Sequence, residues 1–436
     1  AAPREAPRFP TMARTDTVAA AFSTPDTWSA VVSGAFLDRR SLRGDPRLAN
    51  PGLPAGPEEH APGLATTGAL ARELARAALR RTHHLVPRLI TLDGGRFGAD
   101  LPGAGTVAAA VLQTVAPVCE NPEMSPIPDP GGLPSDWDDL VDEVESLVPP
   151  LGARLRSLPA PAAGDRWAAE VQREGYAAKH GRRDALWAWR WAIGRARRLI
   201  VLQTPLLSRT GDHSELERID LVQALVDRLT AVPSLRLIVG VPREIPFGPG
   251  YESFAARFHT SRNEVLDALV AAGGSRVLAF HPIGFPGRPE VLRTTVGVVD
   301  DSWAILGTSS FSRRGMTFDG GLDLVFTDRD RLDGASVAVR RLRREVMAHW
   351  LGLTAPAPGA TPTAGFVRLG SLDGAFDHLT EVLAQGGDGT IEPWWRGPSE
   401  PPPQSVDLAD PEGRAFGDQL LQAVFAAALA ALGQSV

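Results

Sequence analysis

A cluster of arginine and hydroxyl side chains lies in the second half of the chain. The polar run 308–310 follows Gly307, directly after an apolar segment, so hydroxyls and backbone N–H groups are expected to lie together there. Three arginines flank the run: Arg293, Arg313 and Arg314. Guanidinium groups beside hydroxyls and backbone N–H groups are suited to holding a phosphate or a carboxylate. The segment is therefore a candidate anion-binding site.

Three carboxylates in the same segment offer these arginines internal partners. They are Asp300, Asp301 and Asp319. Ion pairing within the segment is the interpretation we favour over an anion site. A guanidinium is permanently protonated, so Arg293 cannot act as a nucleophile at neutral pH.

Apolar strands are predicted to position this cluster. Arg293–Val299 and Trp303–Gly307 are predicted strands joined by a tight turn, and Leu322–Thr327 is a third. Upstream, strands are predicted at 85–92, 199–203, 235–241 and 276–280. Helices are predicted at 67–81, 106–116, 136–147, 184–198, 215–231, 251–272, 333–351 and 372–383. This alternation predicts an α/β fold, a mixed sheet whose faces are covered by helices.

The segment from Arg293 to Phe326 resembles the second half of the phospholipase D superfamily signature. In that family a strand carrying His-x-Lys is followed four residues later by Asp. A second strand then ends in Gly-Ser-x-Asn, and a third begins near Asn-x-Glu. The spacing agrees here, including the paired aspartates and the strand that ends at Gly307. The resemblance extends over roughly 167–350 and implies a phospholipase D-like fold.

The chain departs from the family at the positions that carry chemistry. The family's histidine attacks phosphorus, a second histidine protonates the leaving alcohol, and lysines and asparagines hold the phosphate oxygens. Here the nucleophile position holds Arg293 and the lysine position holds Thr295. Ser310 replaces the asparagine and Gly321 the glutamate. The resemblance therefore implies a vestigial site with no intact catalytic residue, made of Arg293, Thr295, Asp300 and Ser310.

Replacement of the lost groups from elsewhere is not expected. Lys179 is the only lysine, and it stands beside His180 instead of two residues after a histidine. His281 lacks a partner at the family spacing, so we expect it to be a surface or loop residue. The family builds its site from two repeats, and Val86–Gly95 has the same count from first position to aspartate. That segment is a candidate remnant of a first repeat.

Proline-rich and glycine-rich stretches divide the chain into four parts. Residues 1–66 are predicted to form an irregular N-terminal arm, and residues 67–150 an α/β region that is a candidate decayed first repeat. Residues 165–353 are the phospholipase D-like repeat, and residues 365–436 a C-terminal extension. Its last helix, 412–432, has an apolar stripe formed by Leu420, Leu421, Val424, Phe425 and Leu429. Such a stripe must pack on its own body or on a partner protein.

Composition narrows the classes of function. The single Cys119 excludes an intrachain disulfide and cysteine-based metal clusters, and the acidic run near 138–145 is interpreted as a solvated helix face. We therefore expect neither a metal nor another cofactor. The formal net charge of −6 does not favour nucleic acid as the main partner, and a phospholipid headgroup is likewise not favoured. No apolar run is long enough to cross a membrane, and we expect a cytoplasmic location.

These observations predict a catalytically inactive structural or adaptor protein. It would contact protein partners, or further copies of itself, through the N-terminal arm and the C-terminal helix. Two alternatives stay open: a divergent phosphodiesterase acting on phospholipid or nucleic acid, and a passive binder of phosphate or nucleic acid at the vestigial site.

Overall fold

The structure is a computed structural model, and it describes eleven main stretches of the chain. They are residues 18–23, 28–34, 58–85, 105–115, 182–211, 219–245, 252–284, 288–317, 319–354, 360–387 and 390–397, with residue 356 and scattered positions from 138 to 157. The predictions for 86–92, for Lys179 and for the C-terminal helix 412–432 lie outside these residues.

Short strands alternate with helices along the described chain. The strands are β1 Val18–Ser23, β2 Trp28–Ser33, β3 Glu58–His60, β4 Gly63–Thr67, β5 Val107–Val115, β6 Arg182–Arg183, β7 Leu199–Gln203, β8 Arg236–Gly240, β9 Val277–Gly284, β10 Arg288–Leu292, β11 Thr295–Val299, β12 Trp303–Gly307, β13 Gly321–Asp328, β14 Arg331–Leu332, β15 Ala335–Ser336 and β16 Ile391–Pro393. The helices are α1 Gly68–Leu85, α2 Asp184–Ile193, α3 Leu221–Ala231, α4 Glu252–Gly273, α5 Arg313–Thr317, α6 Val337–Trp350, α7 Ala364–Arg368 and α8 Leu372–Ala384.

One large mixed sheet joins most of the described strands. Its order is β3-β10-β9-β8-β7-β11-β12-β13-β5-β6, and β16 pairs with β9. Strands β7, β8 and β9 run parallel, whereas β11, β12, β13 and β5 are successively antiparallel. The predicted α/β fold with a mixed sheet flanked by helices is confirmed.

Helices cover both faces of this sheet, which explains the continuous apolar runs of its central strands. Along β7, Leu199 and Val201 pack with α1, α6, α7 and α8 on one face, and Ile200 and Leu202 pack with α2, α3 and α4 on the other. Successive side chains of a strand point to opposite faces, so a strand covered on both sides is apolar at every position.

Two parts of the structure differ from the sequence-based description or add to it. The helix predicted at 106–116 is wrong, because Val107–Val115 is a strand paired along its length with β13. Its alanines favour a helix intrinsically, but pairing and packing outweigh a weak local preference. In the N-terminal region, the described strands β1, β2 and β4 form a small antiparallel sheet. Among the described residues, no helix is long and apolar enough to cross a membrane.

Candidate functional site

The start of β11 places Arg293 and Thr295 where the signature would place its histidine and lysine. The backbone N–H of Arg293 donates to the carbonyl of His60 over 2.9 Å. The hydroxyl of Thr294 donates to the carbonyl of Pro62 and accepts from the N–H of Gly34, each over 3.1 Å. The entrance to β11 is therefore joined to the N-terminal segment.

The hydroxyl of Thr295 is buried in a hydrogen-bonded network. Thr204 donates its hydroxyl proton to the carbonyl of Leu206 over 2.8 Å and accepts from the N–H of Phe311 over 2.8 Å. The Thr204 and Thr295 hydroxyls are 3.3 Å apart. A hydroxyl has one proton, so Thr295 must be the donor to Thr204. Thr295 is 1% exposed, and its proton is committed inside the protein.

Gln203 extends this network to helix α6. Its side-chain amide donates to the carbonyl of Thr294 over 3.2 Å, and its carbonyl oxygen accepts from the indole N–H of Trp350 over 2.7 Å. Gln203 is 0% exposed. A buried amide that both donates and accepts fixes the strand end and the helix relative to each other.

Ser310 belongs to a tight turn after β12. Its hydroxyl lies 2.9 Å from that of Ser312, which accepts from the N–H of Gly315 over 3.1 Å. A Cβ atom at position 315 would lie 2.2 Å from the Ser310 hydroxyl oxygen, so only glycine fits there. Nearby, Asp323 accepts from the hydroxyl of Ser309 over 2.5 Å and from its N–H over 3.1 Å.

Asp300 lies at the far end of β11 from the other vestigial-site residues. Asp300 follows Thr295 by five positions along the strand, a separation of about 17 Å at about 3.3 Å per residue. Its carboxylate accepts from the backbone N–H groups of Arg197, Arg198 and Leu199, over 2.7 to 2.8 Å. The structure therefore brings Thr295 and Thr204 together but places Asp300 elsewhere, where it holds the loop before β7.

The paired aspartates form the turn between β11 and β12. Asp300 and Asp301 both have positive φ, 52° and 50°, and the N–H of Ser302 donates to the carbonyl of Val299 over 2.9 Å. Two residues of positive φ define a type I′ hairpin turn, a conformation that aspartate tolerates better than most residues.

One of the expected ion pairs forms, and another of the expected carboxylates has a different partner. Arg314 binds Asp319 through two hydrogen bonds of 2.7 and 2.8 Å. Asp301 binds Arg343 of α6 through bonds of 2.6 and 2.8 Å, with both side chains buried. The pairing of Arg314 with Asp319 is as expected. The partner of Asp301 is Arg343, which lies outside the segment from Arg293 to Phe326. Arg313 lies in α5, and its N–H is 3.4 Å from the hydroxyl of Ser208.

His281 is a buried strand residue, so its prediction as a surface or loop residue is wrong. It lies in β9 and is 0% exposed. Its Nδ1 is 2.9 Å from the carbonyl of Val241, and its Nε2 accepts from the N–H of Trp395 over 3.0 Å. Burial lowers the pKa of His281 to about 4, with Arg262 and Arg243 adding to the effect. The ring is therefore neutral and structural.

The sequence analysis missed a group of residues beside Arg293. His60, Glu290 and His349 lie in β3, β10 and α6 and meet in space. They are far apart in sequence, and no local spacing links them. His60 ends β3, a strand that the sequence analysis did not predict.

Comparisons with known proteins give likenesses of structure alone. No family model matches the chain, and no curated protein matches it. The phospholipase D family member Nuc from Salmonella typhimurium matches with a TM-score of 0.27 at 14% identity, over 38% of this chain and 88% of that one. NucT from Helicobacter pylori matches with a TM-score of 0.25 at 14% identity, over 34% and 79%. The chain is similar to phospholipase D family members in fold.

A third structural match is the phosphatidylserine synthase of Haemophilus influenzae Rd KW20. It matches with a TM-score of 0.35 at 10% identity, over 71% of this chain. The chain spans 57% of that protein's length.

The docking residues predicted at 420–429 lie outside the described part of the chain.

Proposed function

We propose that this phospholipase D-like protein is catalytically inactive and serves as a structural or adaptor component of a protein assembly. The observation that carries the proposal is the state of the Thr295 hydroxyl. It stands at the lysine position of the signature, is buried, and donates to Thr204. A threonine in that position supplies no positive charge to hold a phosphate, and this buried hydroxyl directs its proton to Thr204.

The charged residues of the segment support the same conclusion. The Asp301–Arg343 pair joins the β11–β12 turn to α6, and the Arg314–Asp319 pair joins α5 to the loop after it. Asp300 holds a loop through three backbone N–H groups. Carboxylates and guanidinium groups that bind internal partners in this way stabilise the fold. Arg314 in particular is occupied by an internal carboxylate, which argues against its use in passive anion binding.

A divergent phosphodiesterase is the alternative that a specific observation favours. The carbonyl of His60 accepts from the N–H of Arg293, so a histidine lies beside the nucleophile position. His349 stacks on His60 with ring centroids 4.1 Å apart. Two histidines near that position are compatible with acid–base chemistry, and an activity assay must therefore include their variants.

The assembly role rests on the apolar stripe of the predicted C-terminal helix. The stripe is a candidate surface for a protein partner or for a second copy of the chain. Protein partners through the N-terminal arm are a second part of the proposal.

Mass determination of the full chain by light scattering after size-exclusion chromatography tests the docking role. We expect an assembly larger than one chain that dissociates when Leu421→Asp and Phe425→Asp are combined. The matched control combines Gln419→Asp and Ala426→Asp, which add the same charge to the other side of the predicted helix and should leave the mass unchanged. A single-chain mass for the unmodified protein, or equal dissociation in both variants, would contradict docking of further copies through this stripe.

A further inference from the structure

Three potential metal ligands converge next to Arg293. One ligand atom each from His60, Glu290 and His349 can be chosen so that all three lie within 4.8 Å of one another. His349 Nε2 is 4.0 Å from Glu290 Oε1, and the two imidazole rings are stacked at 19°.

The topology of the sheet explains why these residues meet. Strands β3 and β10 pair in parallel, with His60 opposite Leu292. Leu292 and Glu290 are two residues apart, so they point to the same face, and paired residues of neighbouring strands share a face. His60 and Glu290 are therefore diagonal neighbours on one surface. The last turn of α6 brings His349 over them.

From this geometry we infer that His60, Glu290 and His349 bind a divalent transition-metal ion, with Zn²⁺ the ion that the ligand set suits best. Two imidazoles and one carboxylate match zinc sites that keep a fourth position for water. The same set is also found around other borderline divalent ions, whereas Mg²⁺ and Ca²⁺ prefer oxygen ligands alone. No cysteine is needed, in keeping with the single thiol of the chain.

Burial and charge favour a cation at this position. Glu290 is 1% exposed and His60 is 8% exposed. A carboxylate removed from water is costly unless positive charge lies close to it. A divalent ion would supply positive charge beside this buried carboxylate.

Metal binding requires a small rearrangement of one ring. Imidazole lone pairs lie in the ring plane, so two nearly parallel stacked rings cannot both point at one ion. His349 is the ring with room to rotate, because its side chain is 27% exposed whereas His60 is buried at 8% exposure. This exposed side also gives the ion a route in from solvent.

The bound ion would join three segments that are distant in sequence. It would attach the N-terminal segment ending in β3 to the main sheet and to α6. Because the ligands come together only in the folded protein, binding would stabilise the fold. The inference goes beyond the proposed scaffold function and does not depend on it.

Titration of the EDTA-treated full chain with Zn²⁺, by calorimetry, tests the site. We expect one ion per chain, a higher thermal transition with Zn²⁺, and visible d–d absorption when Co²⁺ is used instead. His60→Gln, Glu290→Gln and His349→Gln should each weaken binding at least about tenfold, since even residues supporting a ligand have effects of this size. The matched control His378→Gln changes a partly exposed histidine of α8 and should bind like the unmodified chain.

Two results would overturn the inference. One is no uptake of Zn²⁺ or Co²⁺ by the full chain. The other is uptake that all three ligand variants retain, or that His378→Gln reduces as much as they do, which would indicate scattered surface histidines. If Glu290→Gln fails to fold, the partly exposed His349→Gln decides the matter, with circular dichroism confirming its fold.

Discussion

Asp300 and Asp301 are adjacent in sequence, yet they bind different partners, so their replacement should affect stability differently. Asp300 accepts from backbone N–H groups near the surface, whereas Asp301 is bound on both oxygens by the buried guanidinium of Arg343. The resemblance to the family signature placed Asp300 in a vestigial site. The structure gives both aspartates a role in the turn and its supports.

Replacement of Asp301 by asparagine should destabilise the protein strongly. Asparagine tolerates the positive φ of this position, so the substitution removes the charge while keeping the turn. Arg343 would then be a buried cation without its counter-ion, at a cost of about 3–5 kcal/mol in the free energy of unfolding. Chemical denaturation measures the loss.

Asp333→Asn is the matched control for that change. Asp333 also has positive φ, but its side chain is 84% exposed and lies 3.7 Å from Arg340. An exposed pair contributes about 0–1 kcal/mol. Equal losses in the two variants would show that the turn conformation, and not the buried ion pair, sets the stability.

His281 should make stability depend on pH. Its folded pKa of about 4 lies below the usual 6.5, so between these values the unfolded chain binds a proton that the folded chain does not. Stability from this group is complete above pH 6.5 and is lost as the pH falls towards 4, by up to about 1.4 kcal/mol per pH unit.

Denaturation of the unmodified chain and of His281→Gln at pH 7 and pH 5 isolates this contribution. The stability difference between the two proteins should be largest at pH 7 and should shrink at pH 5. A difference that is the same at both pH values would show that His281 does not carry the effect.

Among the elements, β11 and its neighbours impose a close approach that explains a glycine. A Cβ atom at Gly297 would lie 2.2 Å from the ring of Trp189 and 2.8 Å from Ile305. Gly297→Ala should therefore destabilise the protein by about 1–3 kcal/mol, as overpacking does. Gly105→Ala is the control, because the nearest atom to its Cβ would be 3.9 Å away. Thermal or chemical denaturation measures both, and equal effects would contradict the packing argument.

The local patterns predicted some elements well and others poorly, for identifiable reasons. The strand Trp303–Gly307 and the turn before it were predicted correctly, because a continuous apolar run bounded by Asp and Gly is a strong local signal. Strand β5 was predicted as a helix because its alanines favour a helix locally. Its sequence does not indicate that it pairs with the distant strand β13. The sequence alone predicted that Arg314 pairs with a nearby aspartate. Arg343, which binds Asp301 from α6, could not, because only the fold brings them together.

For the whole molecule, the segment after α6 is part of the folded body. Strand β16 pairs with β9, and Trp395 donates to His281. Helices α7 and α8 bury Phe366, Leu372, Phe376 and Leu379 in the core. A sequence-based boundary after residue 353 therefore falls before residues that the core uses.

Two shortened chains test this dependence. A chain ending at Gly397 keeps α7, α8 and β16 and should show a cooperative thermal transition. A chain ending at Thr354 exposes the core face of α6 and should unfold at a much lower temperature or aggregate. Equal transitions for the two would contradict an integral role for this segment.

Hydrolysis of bis-p-nitrophenyl phosphate by the full chain tests the central claim of an inactive phospholipase D-like protein most directly. The assay is run with EDTA and, separately, with added Zn²⁺, since His60 and His349 lie beside Arg293. The account predicts a rate equal to that without protein under both conditions. Turnover above that rate which disappears in His60→Gln or His349→Gln, but not in His378→Gln, would contradict it and identify an enzyme.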